Sequence, residues 1–207
     1  MSGHVAPSLL HSNHLTATCL LYDKSRVVTS IQEMQWVLRA QCSDREALEA
    51  LLRSVQPSLR RYLSGVAGAT DADDVLQDAL VIIVRRLSGL QDPALFRPWA
   101  FRIASRLAFR HVKKRRLWQV RHIDDSLLEA LAIPEVHPPD AAMRKLLAAD
   151  TISPASRAVL LLHFDEEMSL PEVAAILEIP LGTAKSRLAY GLKAIRQILK
   201  QSGGACD

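Results

Sequence analysis

Apolar residues recur at three- and four-residue steps through most of the chain, the spacing of a helix that buries one face. Strand-like alternation is absent. The pattern sets in at "SDREALEALLRSVQPSLRRYL", where Ser43 is the expected N-cap, with Glu46 three residues on as its capping-box partner. Ala47, Leu48, Leu51 and Leu52 then share a stripe, and Pro57 is expected to kink or restart the helix. "SGVAGATDADD" reads as a turn that leads to a new N-cap at Thr70 or Asp71. In "DDVLQDALVIIVRRL" the block "ALVIIV" has the composition of a buried strand. Its surroundings decide for helix, because Leu76, Leu80, Ile83 and Leu87 keep the helical step. Acids also stand at its front, with Arg85 and Arg86 at its back, as the helix dipole favours. After the turn "SGLQDPALFRP" a further helix is predicted over about 98–118.

Periodicity fades over about 121–142, where "AIPEVHPPD" carries Pro134, Pro138 and Pro139, and it resumes from 143 to about 201. In this second block Ser153 is an N-cap with Pro154 at the first helical position. Ser169 and Glu172 form a capping box ahead of a short helix. That helix buries Val173, Ile176 and Leu177, and Ala174 is small enough to let a crossing helix approach. "EIPLG" breaks it, and a longer helix from about Thr183 turns Ala184, Leu188, Leu192 and Ile195 inward. Short helix, tight turn, longer helix with polar first turns is the helix-turn-helix pattern. Thr183, Lys185, Ser186 and Arg187 sit where such a helix meets phosphates and base edges. Gly191 counts against the pattern, since glycine inside a helix costs about 1 kcal/mol relative to alanine. The fold class expected is all-α: two small helical domains joined by a flexible linker, the C-terminal one containing the helix-turn-helix.

Composition fits this and narrows the partners. The chain has 207 residues, 49% hydrophobic and 23% charged, with a net charge of +4, which mildly favours an anionic partner. Charge is segregated along it. No acid occurs from Pro93 to Ile123, whereas Asp71, Asp73, Asp74 and Asp78 crowd the stretch before. Cys19, Cys42 and Cys206 are odd in number and widely spaced, which fits a reducing compartment better than a disulfide framework or a thiolate zinc site. No apolar run reaches the roughly 18 residues of a membrane helix, and no signal peptide is expected. Residues 1 to about 33 show no sustained period. His4, His11 and His14 there match no metal-ligand spacing, so 1–40 reads as a variable leader, with Met34 a conceivable natural start. No nucleophile motif, phosphate-binding glycine loop or cofactor signature occurs, so neither an enzyme nor a cofactor is expected.

The stretch 96–116, "FRPWAFRIASRLAFRHVKKRR", carries eight Lys or Arg and four aromatic rings. Arg102, Arg106 and Arg110 are four apart, and Lys113 and Lys114 continue the row. Like charges at that spacing repel by a few tenths of a kcal/mol per pair unless an anion lies against them. Trp99, Ile103 and Leu107 are expected on the other side, packed. A solvated face over an ordinary core would also produce such a row. Cationic residues interleaved with rings are how single-stranded nucleic acid is held.

The order "DADDVLQDAL", "FRPWAFRIASRLAFRHVKKRR", a Pro-containing linker and "MSLPEVAAILEIPLGTAKSRL" resembles the extracytoplasmic-function sigma factors of bacterial RNA polymerase, over about 44–200. The resemblance implies a region 2-like domain (41–120), a linker (121–142) and a region 4-like domain (143–207). It implies a cytoplasmic protein that binds core polymerase at its clamp helices and flap, selects promoters and assists their melting. Asp74, Gln77 and Asp78 would then meet the polymerase. Trp99, Arg102, Arg106, Arg110, Lys113 and Lys114 would hold the minus-ten element. Thr183, Lys185, Ser186 and Arg187 would read the minus-thirty-five element. An anti-sigma factor is a further partner the resemblance admits.

Three positions depart from the family's pattern. Arg106 stands where an Asn is usual, Glu178 where the helix-turn-helix usually has Gly, and "LAYGLK" replaces further basic residues after "KSR". In that last segment Tyr190 is a candidate phosphate hydrogen-bonder or stacking group. Two rival readings remain at this level: a regulator that binds a duplex operator without polymerase, and a non-specific nucleic-acid chaperone whose binding depends on salt but little on sequence.

Overall fold

The computed structural model describes residues 24–121 and 151–203. Four helices form the N-terminal domain: α1 (Lys24–Gln41), α2 (Arg45–Ala67), α3 (Ala69–Arg86) and α4 (Phe96–Arg121). Two single-turn 3-10 segments, Leu87–Gly89 and Pro93–Leu95, link α3 to α4. The C-terminal domain comprises α5 (Pro154–Leu160), a π turn (Leu161–Asp165), α6 (Leu170–Leu177) and α7 (Leu181–Gly203). No strand occurs among the described residues. The predicted linker, the three N-terminal histidines, Cys19 and Cys206 lie outside them.

α2 is the spine of the first domain. Leu51, Val55, Leu59, Tyr62, Leu63 and Val66 recur at helical steps and are all buried. α3 covers this stripe with Val75, Leu76, Ala79 and Ile83. α4 contributes Ala100, Ala104 and Ala108, one alanine per turn with no exposed surface, so its axis approaches its neighbours closely. Phe101 meets Tyr62 edge to face, with ring centroids 5.4 Å apart. The Tyr62 hydroxyl lies 2.7 Å from Ser105 Oγ, which donates onward to the Phe101 carbonyl at 2.7 Å. Burial raises the Tyr62 pKa, so the phenol stays a donor.

Four local expectations need correction. The α2 N-cap is Asp44, whose side chain accepts from the Ala47 amide at 3.0 Å, and Ser43 adopts a left-handed φ of 67° ahead of it. Asp44 also takes the Arg39 guanidinium at 2.8 Å, a partner unavailable to the local Ser43–Glu46 box. Pro57 does not restart the helix, for α2 runs unbroken through it. The missing hydrogen bond is outweighed because residues on both sides, Val55 and Leu59, are fully buried on one stripe. α3 starts directly after Gly68 and not from a Thr70 or Asp71 cap; a φ of 102° there lets a single residue turn α2 into α3. Finally, the irregular leader ends earlier than expected. From Lys24 the chain is helical, Val37 is fully buried, and Glu33 is buried against Arg97.

The second domain follows its punctuation closely. Ser153 caps α5 with Pro154 in the first turn. The Ser169–Glu172 capping box is formed in both directions, with Ser169 N donating to Glu172 Oε2 at 2.8 Å. The helix-turn-helix is present as α6 and α7, and α7 begins at Leu181, two residues before the expected Thr183. Gly191 now has a reason: a Cβ there would lie 2.6 Å from Leu160 Cδ1, so the glycine admits α5 against α7.

The two domains pack on one another. α5 lies along α2, and α6 lies along α4. Leu161 presses on Gly65 of α2, where a Cβ would stand 2.5 Å from its Cδ1, and Arg157 donates to the Gly65 carbonyl at 3.2 Å.

Candidate nucleic-acid interface

The helix that carries the basic run is positioned by its small and aromatic residues, and its remaining faces carry the charge. At 100° per residue, Trp99, Arg102, Arg106, Arg110, Lys113 and Lys114 fall within about 120° of one another around α4. Trp99 and Ile103 therefore fall within the cationic arc, with Leu107 at its margin, and not on the opposite side as expected, although Ile103 and Leu107 are buried. The Trp99 ring is half-buried and rests 6.3 Å from that of Phe96. From Arg102 to Lys114 the stripe extends about 18 Å. Arg110, Lys113 and Lys114 are exposed and pair with no described residue. Arg102 is half-buried, and its Nε finds no acceptor among the described residues.

Other cations of the same run are engaged inside the protein. Arg97 grips Glu33 with Nε and Nη2, each 2.8 Å from a carboxylate oxygen. Arg115 reaches back to the α2–α3 corner, where it donates to the Ala67 carbonyl and to Asp71, both at 2.9 Å. His111 Nε2 lies 3.0 Å from the same carboxylate.

The acids of α3 divide in the same way. Asp71 faces α4, and Asp73 takes a two-point contact from Arg60 at 2.7 and 3.0 Å. The hydrogen bond from Arg60 holds the Asp73 carboxyl below its ordinary value. Asp74, Gln77 and Asp78 are exposed, and neither aspartate pairs with a described residue. Val81 and Val84 continue their face at helical steps and stay 43% and 40% exposed. Sequence reasoning passed over these two valines. The signal was an apolar block longer than one buried stripe can use.

In the helix-turn-helix, Thr183, Ser186, Arg187 and Tyr190 share one face of α7, and Tyr190 is 70% exposed. Lys185 is also exposed but lies about 200° round the axis from Thr183, so the structure does not bring it to that face. Ser186 Oγ donates to the Gly182 carbonyl at 3.0 Å and keeps its lone pairs free to accept. The turn that sets α7 passes through Glu178, which is left-handed at φ 55° and ψ 45°; the following Ile179 amide donates to the Ala174 carbonyl at 3.0 Å.

Two carboxylates of the second domain meet the first. Glu178 receives both Nε of Arg106, at 3.2 Å to Oε2, and its Nη2. The hydrogen bond from Arg106, with the Arg102 charge nearby, holds the Glu178 carboxyl below its usual range. Glu166, with its side chain 7% exposed, lies between Arg61 (3.5 Å) and Arg97 (3.8 Å). Loss of water around Glu166 raises its pKa, partly offset by those two cations.

Comparison with known proteins agrees with both halves of this architecture. Residues 51–117 match sigma-70 region 2, and residues 148–197 match sigma-70 region 4. The ECF RNA polymerase sigma factor SigL of Mycobacterium tuberculosis (strain H37Rv) is 30% identical over 178 residues, which cover 82% of this chain and 98% of SigL. The RNA polymerase sigma-H factor of Pseudomonas aeruginosa is 27% identical over 191 residues, 84% of this chain and 97% of its own. Among solved structures, the sigma factor RpoE of Bartonella quintana, in complex with the anti-sigma factor NepR, shares the fold. Its TM-score is 0.61 at 24% identity, over 73% of this chain and 96% of that one. CnrH, solved with the cytosolic domain of CnrY, gives a TM-score of 0.58 at 23% identity, over 82% and 98%. With region 2 and region 4 both matched, in the order and at the positions of the two folded domains, the chain belongs to the extracytoplasmic-function sigma factors of RNA polymerase.

Proposed function

We propose that the chain divides a sigma factor's work among three faces. The exposed face of α3 docks on the polymerase clamp helices, with Asp74, Gln77 and Asp78 for charge and Val81 and Val84 for apolar contact. The cationic stripe of α4 holds the minus-ten element as it opens. Thr183, Ser186, Arg187 and Tyr190 on α7 read the minus-thirty-five element, and Lys185, on the opposite side of the helix, takes no part in that face.

The observation that carries this reading is the α4 stripe itself: five cations and one indole on a single helical face. Opening a duplex costs a few kcal/mol for each base unstacked and unpaired. A surface that binds the separated strand better than the duplex shifts that equilibrium by its differential affinity. Phosphates satisfy the row of like charge, and a base stacked on Trp99 contributes about 1–3 kcal/mol that a paired base does not.

The partners are core polymerase, at the clamp and flap, and promoter DNA. The protein works in the cytoplasm and performs no catalysis of its own. Both structural neighbours were solved with partner proteins, NepR being an anti-sigma factor, which supports an inhibitory protein as a further partner. The test is reconstitution with sigma-free core polymerase on a genome-wide template, with mapping of 5′ ends. A defined set of start sites is expected. A polymerase left without start-site choice would sink the assignment.

A further inference from the structure

The five cations of the α4 stripe differ in what they can recognise. Lys113 and Lys114 are point charges on flexible stems and suit any phosphate. Arg110 is exposed, and no described residue orients it. Arg102 is half-buried with its Nε covered by the protein, so only its outer nitrogens can reach a ligand. Arg106 differs from all four. Its side chain is 58% exposed, at the rim of the contact between the domains, and it offers one whole edge of the guanidinium. Nε donates to Glu178 Oε2 at 3.2 Å, while Nη2 donates to Oε1 of the same carboxylate. That two-point grip shows that the edge points outward and takes a planar group with two adjacent acceptors.

The place of Arg106 on the helix brings this edge to bases. It lies about 20° round α4 from Trp99 and two turns, about 10 Å, along the axis. A strand with one base stacked on the Trp99 ring turns its bases toward this line and leaves its phosphates to the cations on either side. At about 3.4 Å per stacked nucleotide, Arg106 meets a base roughly three positions from the stacked one.

The donors of the edge select the base. Arginine carries five N–H groups and no acceptor. Guanine presents two acceptors side by side, N7 and O6, and is the base that arginine contacts most often. Adenine sets its N6 amino group beside N7, so one N–H of the fork would face another donor. Thymine offers O4 next to a methyl group.

We infer that Arg106 is a base-reading residue, and that the minus-ten element used by this chain carries a guanine on the strand held by α4. The guanine is gripped at N7 and O6 by the same edge that holds Glu178 in the free chain. The inference rests on the assignment of the α4 stripe to the separated minus-ten strand, and it adds the identity of one base.

The experiment uses holoenzyme made from core polymerase and the full chain. A promoter that it selects genome-wide is randomised through the minus-ten element, and the transcribed templates are counted. Wild type should enrich guanine about five- to a hundredfold at one position. Arg106→Ala should flatten that position alone. Arg106→Gln should move it toward adenine, to which a carboxamide both donates and accepts. Alanine and glutamine favour helix, and retained helix content is checked by circular dichroism. Lys113→Ala should instead lower the use of all templates alike. A pre-melted template with 7-deazaguanine at the selected position lacks the N7 acceptor and needs no protein variant; wild-type holoenzyme should bind it at least about fivefold more weakly than the guanine template. Four results overturn the inference and leave the sigma assignment intact. These are no guanine preference, a cytosine preference that depends on Arg106 through the cytosine O2 and N3 acceptors, undiminished binding of 7-deazaguanine, and an Arg106→Ala defect spread evenly over all templates, which would make Arg106 a phosphate contact. If wild-type holoenzyme selects no start sites at all, the sigma assignment fails and the inference falls with it.

Discussion

α3 brings four acids to the first domain and α4 nine Lys or Arg, and the fold treats the two sets differently. α3 uses Asp71 and Asp73 to hold its neighbours and leaves Asp74 and Asp78 open on a face that no described element covers. α4 uses Arg97 and Arg115 in the same structural way, but its open row is interrupted by Glu178. The number of charges in a segment therefore says little about which of them a partner can reach. What decides is whether another element of the same chain supplies the counter-charge.

The largest expected effect lies on the uncovered face. Asp74→Lys with Asp78→Lys places two cations where a docking surface expects anions. Truncating or reversing charges at such an interface costs about 2–5 kcal/mol, so co-purification with core polymerase should be lost. Asp73→Asn is the control on the same helix, because Asp73 is occupied by Arg60. If polymerase still binds the double variant as tightly as wild type, α3 is not the docking face, and the contrast with α4 loses its meaning.

On the α4 side the next effect is kinetic. Trp99→Ala should leave polymerase association intact and slow promoter opening by roughly ten- to a hundredfold, the equivalent of one lost stacking contact. A pre-melted template should restore the rate. Should the defect persist on the pre-melted template, the ring serves packing against Phe96 and not a base.

Local chemistry was the legible part of this sequence. Ser153, Pro154, Ser169, Glu172 and Pro180 act on groups within a few residues, and the C-terminal helices begin within two residues of where these signals put them. The acidic and basic faces were legible too, because they follow from a 3.6-residue period. What stayed hidden is non-local. Pro57 reads as a breaker until the burial of Val55 and Leu59 on a common stripe is known. Gly191 reads as a defect until Leu160 is seen to need its space. The buried Glu33 of α1 makes sense only beside Arg97, 64 residues away. Arg106 and Glu178 were each visible as anomalies, and no periodicity could reveal that they meet.

A smaller effect separates reading from holding. Arg187→Ala should weaken use of the upstream element by about 1–3 kcal/mol and relax base preference there, as for a guanidinium that contacts a base edge. Lys114→Ala should weaken binding across all promoters alike and lower the salt slope by about one. Footprinting and salt titration of the holoenzyme distinguish the two. An Arg187 variant that loses affinity uniformly belongs with the phosphate contacts.

The smallest effect distinguishes the two carboxylates at the domain contact by their pH dependence. Glu178 has its pKa lowered by Arg106, so its contribution is present above the unfolded value and fades as pH falls through the folded one. Glu166 has its pKa raised by burial, and the sign reverses. Its charged form carries a desolvation penalty that is fully present above the folded pKa and is relieved as pH falls toward the ordinary glutamate value of 4.5. Glu166→Gln resembles the protonated side chain at every pH and so lacks that dependence. Thermal melts between about pH 7 and pH 4.5 should show wild type gaining on Glu166→Gln as the pH falls. Wild type losing ground instead would mean that Arg61 and Arg97 outweigh the loss of water around Glu166. The domains would then be joined by net attraction at the buried site as well as at the rim, and acid would loosen both.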